Sequence, residues 1–159
     1  MQYLKFINIT IKSGQNKSIY KIIFVLLFFL SIHTFSSAQC DNNLRREAYK
    51  AIEGGTYIRD FKISLAESKP KKPTTDEKSI MLNKGNRYRF VIMKDPTRQG
   101  NPIVRIYDQH TDYATNLVAT GSTTQIFDFV CNKTQVYNIS IHFENGKDGC
   151  CILMMGLMN

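Results

Sequence analysis

Gln135-Val136-Tyr137-Asn138-Ile139-Ser140-Ile141-His142-Phe143 reads apolar and polar by turns. Successive side chains of an extended chain point to opposite sides. Tyr137, Ile139, Ile141 and Phe143 therefore share one face, and Asn138, Ser140 and His142 the other. This is a strand with one buried face, and the segments around it repeat the theme. Residues 56–65 place Tyr57, Phe61, Ile63 and Leu65 on one side, with Arg59 interrupting near the start, where its long side chain reaches water. Arg87–Lys94 puts Tyr88, Phe90 and Ile92 on one face. Further strands are expected at 79–82, 103–107, 117–120 and 125–131, with the polar stretch 108–116 as a loop. Residues 150–158 are apolar on both faces, which belongs in the interior of a sheet.

Turn signals punctuate these runs. Asn83-Lys84-Gly85-Asn86 offers a glycine where a positive φ is easily adopted. Residues 68–79, with Pro70, Pro73 and a cluster of lysines, read as an exposed loop with an extended middle. Upstream, Leu44, Ala48 and Ala51/Ile52 recur at helical spacing after the N-cap candidate Asp41 and before Gly54-Gly55. The expected fold is all-β: an antiparallel β-sandwich of seven or eight strands, of jelly-roll type, with one short N-terminal helix.

The chain opens with a different kind of segment. Lys21 precedes an unbroken apolar run from Ile22 to Leu30, and Ser36-Ser37-Ala38 follows. A basic start, a short apolar core and small residues at −3 and −1 make a secretory signal peptide cut after Ala38. Nine apolar residues are too few for a spanning helix, which needs about twenty, and Ser37 and Gln39 do not suit lipidation of Cys40. The expected mature protein is one domain, residues 39–159, secreted or periplasmic and without a stable membrane anchor. Its charge is modest: seventeen Lys and Arg against thirteen Asp and Glu, because the leader holds four lysines and no acid. That is not the dense basic footprint of a nucleic-acid binder.

Export makes Cys40, Cys131, Cys150 and Cys151 candidates for disulfides. If the last three strands ran as a simple meander, Cys131 and Cys150 would fall at opposite ends of the middle strand, too far apart to bond. Cys40, on a terminus, reaches either end. The expected order is Cys40–Cys131 first and Cys40 with Cys150 or Cys151 second; a vicinal Cys150–Cys151 bond is strained.

Candidate chemistry is sparse. Asp108-Gln109-His110-Thr111-Asp112 is the one stretch that gathers three ligand types, so Asp108, His110 and Asp112 are the weak metal candidates, with a polar loop the favoured reading. His142 belongs on the polar face of its strand. A Cys131–His142 dyad is disfavoured because export favours oxidation of the thiol. No phosphate-binding loop, dinucleotide fingerprint or nucleophile elbow occurs. Tryptophan is absent; Tyr107 and Tyr113 remain as platforms for a glycan, with packing the better expectation for Tyr107.

Residues 82–90, the strand ending in Tyr107-Asp108, and Lys133-Thr134-Gln135-Val136-Tyr137 together resemble the pre-peptidase C-terminal type of bacterial sandwich domain. Gln135 stands where that family usually has glycine. The export site and the Lys/Ile/Asn-rich composition are similar to small secreted proteins of Bacteroidetes-type bacteria. The resemblance implies a sandwich fold, and the family's role as an accessory to a secreted enzyme does not carry over. The functional expectation is an exported, non-enzymatic binding or structural module, with an envelope protein or a surface glycan as partner and no cofactor. The alternatives are a small secreted hydrolase or metal-dependent enzyme centred on Asp108, His110 and Asp112, or a carbohydrate-binding module.

Overall fold

The computed structural model describes Cys40 and residues 42–159. The expected leader, its expected cut site and the N-cap candidate Asp41 lie outside the described residues. Helix α1 spans Asn42–Lys50. Eight strands follow: β1 Gly55–Leu65, β2 Thr75–Leu82, β3 Arg87–Lys94, β4 Pro102–Tyr107, β5 Asp112–Thr115, β6 Ile126–Val130, β7 Gln135–Phe143 and β8 Gly149–Met158. They form two four-stranded antiparallel sheets, ordered β1-β8-β3-β6 and β2-β7-β4-β5. The fold is the expected antiparallel sandwich.

The alternation legible in the sequence builds the core between the sheets. Ile63, Phe90, Ile92, Val104, Ile106, Tyr137, Ile139, Ile141 and Phe143 meet there, all buried. Each removes an apolar side chain from water, worth about 1.5–3 kcal/mol. Strand β8 accounts for its own composition. It lies between β1 and β3, sending Cys151, Leu153 and Met155 into this core. Cys150, Ile152 and Met154 face the other way, into a second cluster with Ala48, Ile52 and Val91. Helix α1 thus covers the outer face of the first sheet. Its apolar stripe is thin, and the Cys40–Cys150 disulfide ties the chain just before it to the start of β8, with Cα atoms 5.7 Å apart.

That bond corrects the first-ranked pairing. Cys131 and Cys151 are free and buried. Cys131 sits at the Arg87 end of the first sheet, where its amide donates to Asn86 O. Cys150 lies near the opposite end, where its carbonyl accepts from the Asp95 amide. A strand of eight residues separates them by more than roughly 20 Å. The separation is as expected, although its reason is not, because β6 and β7 lie in different sheets and form no meander. Docking of α1 holds Cys40 at the Cys150 end. The alternation of β8 then decides between neighbours, since Cys150 faces the helix and Cys151 the core.

Two boundaries also differ. Strand β2 starts at Thr75, inside the stretch expected as a loop. Asp76 and Lys78 occupy its inward positions and pair with each other at 2.5 Å, so no apolar side announced it. Inward charges on an edge strand also discourage pairing with another sheet edge. Strand β5 falls at Asp112–Thr115 and not at 117–120. The buried Asn116 ends it by accepting the Val104 amide at 2.7 Å and donating to Pro102 O at 3.0 Å. At Arg59 a register shift in the β1–β8 ladder turns the guanidinium out over the Phe61 ring, 5.5 Å from its centre.

Candidate functional site: the open face of the second sheet

The turn from β4 to β5 carries the sequence-predicted site. Asp108 Oδ1 accepts the backbone N–H groups of His110 and Thr111, each at 2.9 Å. Its Oδ2 accepts the Tyr113 hydroxyl at 2.6 Å and Gln135 Nε2 at 3.1 Å. Four donors, the Tyr113 hydroxyl foremost, hold this carboxyl well below the usual carboxylate range. The same bond raises the Tyr113 phenol. Asp112 instead lies 3.4 Å from Arg105 Nε, and His110 is exposed. Asp108, His110 and Asp112 are near in sequence, but their side chains do not converge. Among the described residues no three His, Cys, Asp or Glu side chains gather as a metal-binding group.

Nor does the structure bring Cys131 to His142. Cys131 is in the core, its thiol 3.1 Å from Lys133 O, while His142 is half-buried on the outer face near the other end of β7. Burial, helped by Arg105, lowers the His142 imidazole below its ordinary value. Burial pushes the Cys151 thiol up to about 12, which leaves it inert.

The outer face of the second sheet is laid out by register. Glu77, Ser140 and Arg105 form one row; Ser79, Asn138 and Tyr107 form the next; Met81 and Val136 close one end. Tyr107 reaches from β4 across β7 to β2, its hydroxyl donating to Glu77 Oε1 at 3.0 Å. The Arg105 guanidinium lies over its ring, 4.9 Å from the centre. Ser79 donates to Asn138 Oδ1 at 2.9 Å, and Ser140, between Glu77 and Arg105, is buried. Burial and the Glu77 carboxylate raise the Tyr107 phenol. Met81 and Val136 stand exposed, at 59% and 50%. Among the described residues no helix packs over this face, in contrast to the first sheet under α1. Sequence reasoning passed over Arg105 and Glu77. The signal was present for Arg105, since alternation in 103–107 sets it and Tyr107 on the same side.

The molecule is, by class, an all-β two-sheet antiparallel sandwich with one face roofed by a helix and the other open. No family model and no curated protein matches the chain. Among solved structures it is similar to PliG of Aeromonas hydrophila, a periplasmic lysozyme inhibitor of g-type lysozyme. Identity is 11% over 67% of this chain and 90% of that one, with a TM-score of 0.48.

Proposed function

We propose that the protein is an exported, non-enzymatic binding module that docks a protein partner on the open face of its second sheet. The observation that carries this reading is the Arg105–Tyr107–Glu77 assembly lying flat across three strands. Arginine and tyrosine are enriched among binding hot spots, and side chains already held by one another lose little freedom on docking. The apolar pair Met81 and Val136 beside them offers area to bury, so the partner presents an apolar patch next to hydrogen-bonding groups. A protein fits better than a glycan. The Tyr107 ring face that a sugar would stack on is taken by Arg105, and Tyr113 packs edge-on against Tyr137, with ring centres 5.2 Å apart. The metal-enzyme alternative finds little support in an Asp108 whose oxygens already accept four hydrogen bonds from within the protein.

Export is supported by the Cys40–Cys150 disulfide, a bond that persists in oxidising compartments. Cleavage after Ala38 predicts Gln39, or its cyclised form, as the first residue of protein purified from its native host. For the docking face, tagged mature protein is used to recover partners from the host envelope. The reading expects one stoichiometric protein, retained by Arg89→Ala on the first sheet and lost by Arg105→Ala combined with Tyr107→Ala. Equal recovery by both variants, or recovery of glycan alone, overturns it.

A further inference from the structure

The end of the sandwich where β3 stops and β4 starts holds a half-open cleft of about 210 Å³, lined by Ile92, Lys94, Pro102, Thr123, Thr124 and Gln125 together with Asn101 and Asn116. We propose that this cleft is a binding site for a carboxylate on a short apolar stem, with Lys94 as its counter-charge. The site is separate from the open sheet face and does not depend on it.

Lys94 is half-buried, and its ammonium donates to Asn101 Oδ1 at 2.7 Å. Asn101 is oriented from behind, its amide donating to Glu144 Oε2 at 3.0 Å. Its oxygen therefore faces the lysine, and it stands between Lys94 and the Glu144 carboxylate. The other neighbouring acid, Asp95, is turned onto Thr97, accepting its amide at 2.8 Å and its hydroxyl at 2.6 Å. Lys94 has no carboxylate within ion-pair distance among the described residues. An ammonium has three N–H groups, of which Asn101 accepts one, so a bound carboxylate would supply both a further acceptor and the counter-charge.

The walls are already in place. Asn116 spends its side chain on Val104 N, Pro102 O and Thr124 O, which bolts the 116–125 loop to β4. The Ile92 amide donates to Gln125 O at 2.7 Å, which ties the same loop to β3. Ile92 and Pro102 supply apolar lining, and Thr123 and Gln125 supply polar rim groups. Pockets for drug-sized ligands span roughly 300–1,000 Å³. This cleft is smaller and fits a carboxylate with two or three carbons, either as a free acid or as the acidic side chain of a peptide.

The test is an amide-shift titration of the full mature chain with sodium propionate and with the neutral isostere propionamide. Acetylated, amidated Ala-Glu-Ala and Ala-Gln-Ala are titrated alongside. Saturable shifts centred on Ile92, Thr124 and Gln125 are expected with a carboxylate probe, at least about tenfold weaker with its amide. They should vanish in Lys94→Met, which keeps the apolar stem. Response to propionate alone assigns a free acid, and response to the glutamyl peptide alone assigns a side chain. Equal shifts from acid and amide, no saturation with either acid, or unchanged binding in a folded Lys94→Met variant overturns the proposal.

Discussion

Ile52 Cγ2 occupies the space that a side chain at Gly156 would need. A Cβ built on Gly156 would meet that methyl at 2.5 Å and Thr56 O at 3.3 Å. The last turn after α1 therefore seats in a notch of β8 cut by the lack of a side chain. The glycine in an otherwise apolar strand is a packing device, since close approach of another element is what an interior strand glycine permits. Gly156→Ala should push Ile52 off the sheet and destabilise the domain by about 1–3 kcal/mol. Urea unfolding measures this, and an unchanged midpoint would show that the helix is not held by that contact.

The Cys40–Cys150 bond spans 110 residues and closes the helix onto an apolar sheet face. Replacing both cysteines by alanine should cost about 2–5 kcal/mol. It should also loosen α1 over Val91, Ile152 and Met154, seen as increased binding of a hydrophobic dye and faster amide exchange in α1 than in β7. Mass spectrometry should find Cys131 and Cys151 reduced in the native protein. A Cys40–Cys131 peptide would contradict the pairing.

Strand β8 carries four large side chains that are almost wholly buried, Ile152, Leu153, Met154 and Met155. At about 1.5–3 kcal/mol each their loss rivals the whole margin of a small domain. A chain ending at Gly149 should give the dispersed-signal loss and the circular dichroism of an unfolded protein. A truncated chain that stays folded and monomeric would mean that the first sheet closes without its second strand.

Stability should rise with pH in two separate windows. The His142 imidazole is lowered in the fold by burial and by Arg105, so below the ordinary value of about 6.5 the unfolded chain binds its proton first. Falling pH therefore weakens the fold through that range. Asp95 and Asp108 are lowered by their hydrogen-bond donors, Thr97 and Tyr113 foremost. Their stabilisation is complete above the ordinary carboxylate value of about 4 and is lost as pH drops from there toward the depressed values. His142→Gln should flatten the first slope and leave the second, whereas Asp95→Asn should shrink the second to the share held by Asp108 and leave the first. Unfolding midpoints across pH 3–8 separate the two.

Local periodicity determined most of the architecture. Tyr137, Ile139, Ile141 and Phe143 in β7, and the doubly apolar β8, could be assigned a face from alternation alone, because strand geometry leaves a side chain only two directions. The turn at Gly85, the helix before Gly54 and the outward Arg59 were legible for the same local reason. The first half of strand β2 was hidden because its inward positions hold Asp76 and Lys78, which satisfy each other at an open edge. Strand β5 was misplaced because Asn116, a residue that reads as loop, is buried by bonds to β4 and to residue 124. Those bonds, like the partition of β6 and β7 into different sheets, are long-range choices. The disulfide depended on where the helix docked and on which face of β8 each cysteine took. The open sheet face and the Lys94 cleft are likewise tertiary facts. Glu77 joins Arg105 and Tyr107, and Glu144 joins Lys94 and Asn101, only when the fold sets distant segments side by side, and no local pattern encodes that.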